Sequence, residues 1–392
     1  MKDHLVSFDD TETAFLSKSD RDLKRAYWLF KIISFNWLVR ISPPFVQFAL
    51  WAKLPVKGLI RATAFRHFCG GENIESCSET IRKLAEFNIG TILDYSVEGK
   101  ESEEDFDKGL IETLSTISRA KGDKNIPFCV FKPTGFARFA LLEKKNAGIL
   151  LTSEEEKEFD SYKKRIEKIC QASFDADVPV FIDAEESWIQ DVIDDTATEM
   201  MMKFNKVKPL IFNTLQMYRT GRIDYLEKCI QHAKNNKYIP GFKIVRGAYM
   251  EKERLRAAKL NIPSPIQADK AGTDNDYNAA LKIIIRNLGS AALCCGTHNE
   301  SSSLLLVELM ETNKLPNNHK YVWFSQLYGM SDHISYNLAN KGYNVCKYVP
   351  YGPVEGVLPY LIRRAQENTS VAGQTSRELN LLKTERTRRK NK

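Results

Sequence analysis

The sequence predicts an α/β protein built on a (βα)8 barrel. From about residue 88 onward, short apolar runs alternate with longer charged, amphipathic stretches. Such alternation is typical of an all-parallel sheet whose strands are joined by helices. There are about eight apolar runs over a span of about 300 residues, which favours a closed barrel over an open, doubly wound sheet.

The predicted strands are short and apolar, and helical patterns lie between them. The strands cover residues 89–93, 128–131, 178–182, 209–215, 242–245, 291–295, 322–324 and 345–349. The helical stretches include residues 103–120, 153–173, 222–235, 277–288 and 300–311. No Gly-x-Gly-x-x-Gly follows any of these strands, so a Rossmann dinucleotide site lacks its fingerprint.

The N-terminal part of the chain, over about 20–69, is helical in pattern and combines aromatic with basic side chains. The aromatic residues are Tyr27, Trp28, Phe30, Phe35, Trp37, Phe45, Phe48 and Trp51. One interpretation is a set of helices packed on the outside of the barrel. The other is a surface that touches a membrane interface, where aromatic and basic residues are favoured together.

Composition excludes a disordered or fibrous chain, and charge adds one local feature. The net charge of +7 is modest, and much of the excess lies at residues 383–392, for which we predict a solvated, mobile tail. No other basic stretch indicates a nucleic-acid groove. We therefore predict a helical region over 1–84, a catalytic barrel over 85–375 and a basic tail over 376–392.

The eight cysteines and the apolar runs bear on the compartment. No cysteine spacing is of the zinc type, so buried reduced thiols are expected. The N-terminus is acidic, unlike a targeting peptide, and no apolar run reaches the roughly 18 residues of a membrane span. We expect a cytoplasmic protein with peripheral contact at the inner face of the cell membrane.

Polar residues follow the predicted strands, where a barrel has its mouth. They are Asp94, Lys132, Asp183, Glu185, Gln216, Arg246, Thr297, His298, Asn299, Gln326, Tyr348 and Tyr351. Each alone is as consistent with the start of a solvated loop. Together they predict a polar site large enough for a cofactor, and no metal, because His298 has no neighbouring His or Cys.

A helical segment near the C-terminus carries the sharpest pattern. On a helix, Tyr360, Arg363, Arg364 and Glu367 lie within an arc of about 100°. One interpretation is a solvated charged face with a weak Arg363–Glu367 pair. The other is a fork of two arginines that binds a carboxylate.

This segment, Tyr-Leu-Ile-Arg-Arg-Ala-Gln-Glu-Asn over 360–368, resembles the signature helix of the proline dehydrogenases. Similar blocks occur in order at successive strand ends: 93–99, 131–135, 182–186, 243–249, 297–299, 324–330 and 347–352. The resemblance covers roughly residues 85–370 and is closest to the monofunctional type. Lys243 stands where the bifunctional bacterial enzymes carry arginine, and Arg246 where they carry lysine.

The resemblance implies a distorted (βα)8 TIM-type barrel that holds non-covalent FAD, with the last helix over the barrel mouth. It implies that Lys132, Arg363 and Arg364 bind the substrate carboxylate and that Asp183 and Glu367 compensate these cations. Four residues would shape the pocket: Ala248, Leu327, Tyr348 and Tyr360. The implied FAD contacts are Gln216, Lys243, Arg246, Gly247, Ala248, Thr297, His298, Asn299 and Gln326.

The function implied by the resemblance is oxidation of L-proline to Δ1-pyrroline-5-carboxylate, the first step of proline catabolism. Hydride would pass to flavin N5 and electrons onward to a membrane quinone. A dehydrogenase for hydroxyproline or another cyclic imino acid is the nearest alternative. A cofactor-free lyase using Lys132 as a Schiff-base amine, and a non-catalytic membrane- or nucleic-acid-binding protein, are the others.

Overall fold

Eight parallel strands close into a barrel in chain order, β1 to β8. The computed structural model describes residues 6–35, 56–97, 101–370 and 374–391, without the side chains of 56, 59, 366–370, 374 and 375. The strands are β1 (Ile89–Tyr95), β2 (Phe128–Phe131), β3 (Val180–Ile182), β4 (Ile211–Gln216), β5 (Gly241–Val245), β6 (Ala292–Gly296), β7 (Val322–Leu327) and β8 (Val345–Tyr351). Each overlaps one predicted strand, so the predicted (βα)8 fold is confirmed.

Short helices precede the barrel, as the sequence predicted. They are α1 (Thr11–Ala14), α2 (Asp20–Ile33), α3 (Val56–Ile60), which runs through a π-helical turn (Arg61–Phe65) into α4 (Arg66–Phe68), and α5 (Ser78–Ala85). Helix α2 begins at a capping box, in which Ser19 and Asp22 satisfy each other's backbone N–H groups. Predicted residues 36–55 lie outside the described residues.

Eleven further helices follow in the described part of the chain. They are α6 (Glu103–Ala120), α7 (Phe139–Asn146), α8 (Ser153–Ala176), α9 (Ser187–Phe204), α10 (Arg222–Asn236), α11 (Met250–Leu260), α12 (Lys270–Arg286), α13 (Glu300–Thr312), α14 (Asp332–Asn340), α15 (Leu358–Ser370) and α16 (Gln374–Lys390). The signature segment lies in α15, and α16 follows it. None of the helices in the described ranges combines the length and apolar character needed to cross a bilayer.

The chain forms two compact units, Met1–Glu98 with Gln326–Lys392, and Gly99–Ser325. In the second unit, the Phe128 and Phe181 rings stack at 4.5 Å between centroids, and Phe212 and Trp323 meet Phe128 edge-on. Aromatic side chains therefore cluster near the amino ends of these strands. In the first unit, β1 and β8 pair in parallel over seven residues each.

The prediction of a solvated, mobile tail over 383–392 is wrong. Helix α16 covers most of that stretch, and its Leu381 and Leu382 are buried among residues of α1 and α2, including Phe15, Leu23 and Phe30. Its last turn is fixed by charge as well, because Arg389 contacts both Glu385 and Asp20. The prediction was based on the basic residues of this stretch and overlooked Leu381 and Leu382, which pack the helix against α1 and α2.

All eight cysteines are buried, and none forms a disulfide. Burial raises the pKa of the Cys129 thiol to about 12, opposed by a hydrogen bond with Thr116. A thiol with so high a pKa stays protonated at neutral pH and is a poor nucleophile. The cysteines therefore act as small core residues, as the sequence predicted.

Candidate functional site

Asp183 and Lys243 form a buried ion pair in the unit Gly99–Ser325. Asp183 directly follows β3, and its backbone N–H donates to the Phe131 carbonyl at 3.0 Å. Lys243 lies in the middle of β5, and the Thr214 hydroxyl of β4 also donates to the Asp183 carboxylate at 3.3 Å. The predicted carboxylate is therefore held by groups from two adjacent strands.

Glu185 fixes the turn that begins at Lys132. Its carboxylate accepts hydrogen bonds from the Thr134 backbone N–H at 2.8 Å and the Thr134 hydroxyl at 2.6 Å. Burial raises the pKa of Glu185 to about 7, although the Thr134 hydrogen bonds and Lys132 oppose the shift. The buried carboxyl thus orders the short 3₁₀ turn after β2, so the backbone at Lys132 has a fixed course.

Gln216 joins the loops after β3 and β5. Its side-chain amide donates to the Glu185 carbonyl at 2.6 Å and accepts from the Ala248 N–H at 3.0 Å. Gly247, just before Ala248, has φ +141°, and a Cβ there would overlap the Tyr218 ring. Only glycine fits at this position. The hydrogen bond from Ala248 to Gln216 brings three predicted cofactor residues together, Gln216, Gly247 and Ala248.

Arg246 is the most connected cation in this group. Its guanidinium donates to Asp274 at 2.7 Å, to Thr297 at 2.6 Å and to Ser302 at 2.9 Å. It also stacks on the Tyr277 ring, 4.5 Å from the centroid. The planar fork is therefore oriented on four sides while part of it stays accessible.

The predicted residues after β6, Thr297, His298 and Asn299, directly precede helix α13. Asn299 caps the helix by accepting the Ser302 N–H at 2.9 Å, and its own N–H donates to the Thr297 hydroxyl at 3.1 Å. His298 lies between these two residues and is half-buried. A helix N-terminus carries partial positive charge and suits an anion such as phosphate.

Two predicted residues of the unit that contains Gln326–Lys392 lie at strand ends. Gln326, near the end of β7, is buried and accepts a hydrogen bond from the Ser335 hydroxyl at 2.8 Å. Tyr348 in β8 is also buried, and its carbonyl accepts the Tyr328 N–H at 2.8 Å. Leu327 ends β7 and packs against an apolar cluster that includes Tyr360.

Helix α15 brings Tyr360 and Arg364 together one turn apart. The guanidinium carbon lies 5.2 Å from the ring centroid, and the two residues are only 4% and 7% exposed. A solvated charged face is therefore wrong for this pair, whereas Arg363 is half-buried. Glu367 lies on the same helix, but its side chain is outside the described residues.

Some contacts of the site were missed in the sequence. The partners Thr214, Asp274 and Ser302 carry no motif that indicates their role, and Thr134 lies within the block 131–135 but had no predicted role. Lys347 did carry a signal, since it is a lysine inside an apolar strand, and it lies in a buried ion pair with Asp332 at 2.9 Å. Within the described residues, no group of three or more His, Cys, Asp or Glu could hold a metal ion.

A closed parallel barrel with polar side chains after its strands is an architecture that many enzymes share. A sequence-family model described as Proline dehydrogenase matches residues 77–377. Mitochondrial proline dehydrogenase 1 of Dictyostelium discoideum is 33% identical over 97% of this chain and 74% of its own. The carbapenem antibiotics biosynthesis protein CarD of Pectobacterium carotovorum is 35% identical over 82% and 83%. The chain belongs to the proline dehydrogenase family.

Solved structures share the fold. Proline utilization A (PutA) from Bdellovibrio bacteriovorus, crystallised after inactivation by N-propargylglycine, superimposes with a TM-score of 0.72 at 18% identity. The match covers 92% of this chain and 38% of that one, so the chain spans well under half of the PutA polypeptide.

Proposed function

We propose that this chain oxidises L-proline to Δ1-pyrroline-5-carboxylate with non-covalent FAD and passes the electrons to a membrane quinone. The observation that carries the proposal is the extent of the family match, which runs from residue 77 to 377 and includes every strand and helix α15. The signature residues of α15 and the ordered strand-end blocks support the same conclusion.

The donor set of the unit Gly99–Ser325 fits FAD. Arg246, Thr297 and the capped N-terminus of α13 offer a cation, a hydroxyl and a positive helix end, which suit a pyrophosphate. The residues of this unit that would hold the cofactor are Gln216, Lys243, Arg246, Gly247, Ala248, Thr297, His298 and Asn299. The family resemblance adds Gln326. Bound FAD would supply the hydride acceptor.

The cationic residues of α15 suit the proline carboxylate. Arg364 is buried and stacked on Tyr360, so its guanidinium is oriented before a ligand arrives. A preorganised guanidinium binds a carboxylate by charge-assisted hydrogen bonds. On the family resemblance alone, we also propose that Arg363 and Lys132 bind this carboxylate and that Asp183 and Glu367 compensate the cations. The same resemblance gives Ala248, Leu327, Tyr348 and Tyr360 as pocket residues.

The protein's contribution to the reaction is positioning. Anchoring the carboxylate fixes the ring carbon next to nitrogen, from which hydride departs while the nitrogen lone pair forms the C=N bond of the product. Proline must react as the neutral amine, because the free lone pair of its nitrogen is what forms the C=N bond. The reaction needs no covalent bond between proline and the protein. The side chains accelerate it by orienting the bound proline.

Steady-state turnover with a soluble quinone tests the substrate assignment. We expect L-proline to be oxidised with a higher kcat/KM than trans-4-hydroxy-L-proline. A preference for hydroxyproline would transfer the assignment to that substrate. Absence of turnover with either, in flavin-loaded protein, would contradict the proposal.

We further propose that helix α2 touches the membrane that holds the quinone. Its Trp28 and Ile32, with Phe35 just beyond, are spaced for one helix face and are 48%, 53% and 47% exposed. The Lys31 ammonium lies over the Trp28 ring at 4.8 Å. Aromatic and basic side chains side by side are typical of surfaces that dock at a bilayer interface.

Serine substitutions at these three positions test the membrane assignment without unfolding the chain. Deleting residues 1–60 would also remove the buried Phe15, Leu23 and Phe30. The triple serine variant should lose binding to anionic liposomes. Serine at the exposed Leu150, Leu255 and Ile262 is the matched control and should bind as the parent does. Equal binding by both variants would contradict the assignment.

A further inference from the structure

The segment from Leu327 to Asp332, between β7 and α14, has a backbone that needs support. Gly329 has φ +76° and Ser331 has φ +50°, both in the left-handed region. A side chain at position 329 would overlap the His67 carbonyl. A serine in this region is uncommon and persists where its surroundings hold it.

Three side chains from three elements hold this segment. The His67 ring nitrogen Nε2 is 2.8 Å from the Gly329 carbonyl, and the Lys347 ammonium donates to the Met330 carbonyl at 2.6 Å. The Glu378 carboxylate of α16 accepts the backbone N–H of Ser331. All of these groups belong to one compact unit.

The charged groups next to the segment form ion pairs with one another. Asp332 lies between two ammonium groups, those of Lys18 and Lys347, each 2.9 Å from a carboxylate oxygen. Burial alone would raise the pKa of Asp332, but the two ammonium groups hold it well below its usual range. Burial also lowers the pKa of Lys347, which Asp332 opposes. Removing Asp332 would leave the buried Lys347 ammonium without this ion-pair partner.

The held segment adjoins residues assigned to the substrate pocket. It begins at Leu327, and Lys347 directly precedes Tyr348 on β8. Neighbouring side chains on a strand point to opposite faces. Because Lys347 contacts Asp332 of α14, Tyr348 points away from that helix. The segment therefore adjoins two proposed pocket residues, Leu327 at its start and Tyr348, whose carbonyl accepts the Tyr328 N–H.

We propose that Glu378 is a positioning residue for the substrate pocket and that helix α16 is a required part of the site. The inference rests on the proposed oxidation of proline. Glu378 touches neither substrate nor cofactor in this account. It acts by accepting the Ser331 N–H, which fixes the backbone leading from Leu327 into α14.

The test compares three variants of the flavin-loaded, full-length chain. Glu378→Met removes the acceptor, while Glu378→Gln keeps an oxygen that accepts the same N–H. Leu226→Ala, at a fully buried position of α10 in the other unit, destabilises the protein without touching α16 or the segment. Two readouts are taken: hydrogen–deuterium exchange of the amides at 328–333, and the KM and kcat for L-proline.

We expect Glu378→Met to speed exchange of the Ser331 amide by at least about tenfold and to raise KM for proline by about tenfold, with a smaller change in kcat. Glu378→Gln should match the parent, and Leu226→Ala should lower the thermal midpoint without this local change in exchange. Unchanged exchange and KM in Glu378→Met, or equal damage in Glu378→Gln, would overturn the inference. If the parent does not oxidise proline but Glu378→Met still exchanges the Ser331 amide faster than the parent does, the proposed function is overturned. The role of Glu378 in holding the segment is then still supported.

Discussion

The Lys243 ammonium on β5 forms an ion pair with the Asp183 carboxylate at the end of β3, and the two side chains are only 6% and 13% exposed. The Thr214 hydroxyl of the intervening strand β4 donates to the same carboxylate. Side chains of three successive strands thus converge on one buried charge. The pair fixes the strand end that carries a predicted site residue.

Replacing Lys243 with Met should destabilise the protein by about 3 kcal/mol, because it removes the ammonium group that forms the buried ion pair with Asp183. Adding Asp183→Leu should recover much of the loss. Urea unfolding measures both. Lys208→Met breaks an exposed pair with Asp177 in the same unit and serves as the control, with an expected cost below about 1 kcal/mol. Equal losses of unfolding free energy in Lys243→Met and the control would show that the buried pair stabilises the protein no more than an exposed pair does.

Glu185 should make stability depend on pH. Its pKa is raised by burial from 4.5 to about 7, so the folded state retains a proton that the unfolded state loses. Stability should therefore fall as pH rises from about 4.5 to about 7, by an amount on the order of 1–3 kcal/mol.

Glu185→Gln removes this titration and can still hydrogen-bond Thr134. The free energy of unfolding of the variant, relative to the parent, should improve between pH 5 and pH 8. Chemical denaturation at the two pH values measures the difference. A difference that does not change with pH would contradict the raised pKa.

Arg246→Lys should weaken FAD binding even though it keeps the charge. Lysine cannot reproduce the fork that contacts Asp274, Thr297 and Ser302. We expect the Kd for FAD to rise by roughly tenfold, measured by fluorescence titration of the apoprotein. Arg256→Lys is the matched control, since Arg256 also stacks on an aromatic ring and pairs with a glutamate. The control should bind FAD as the parent does, and a parent-like Kd in Arg246→Lys would exclude the assigned role.

Leu382→Ala should cost about 3 kcal/mol of unfolding free energy, because it empties a fully buried position between α16 and the first helices. Leu379→Ala, at a partly buried position of the same helix, should cost less. Thermal and chemical unfolding measure both. If the C-terminal segment were mobile, neither substitution would change the free energy of unfolding.

The barrel was predictable because its signal is local. Each strand is a short apolar run, and the helices between them carry their own amphipathic pattern, so strand number and order follow from the chain read in sequence. Residues at strand ends were predictable for the same reason, since a parallel barrel brings those ends to one side.

The partners of those residues were not predictable, because pairing joins distant parts of the chain. Lys18 and Lys347 meet at Asp332 across more than three hundred residues, and no periodicity announces that contact. Helix α16 was misjudged because its basic composition hid Leu381 and Leu382. The pattern alone also left two interpretations of the arc that contains Arg363 and Arg364. A binding face differs from a solvated face in its burial, which the helical periodicity does not give.

Anaerobic mixing of the flavin-loaded protein with L-proline tests the central claim most directly. We expect L-proline to bleach the flavin absorbance, and Arg364→Met to require a proline concentration higher by roughly tenfold to a hundredfold, because a charge-assisted anchor is lost. Flavin that stays oxidised in the parent protein at saturating L-proline would contradict the account.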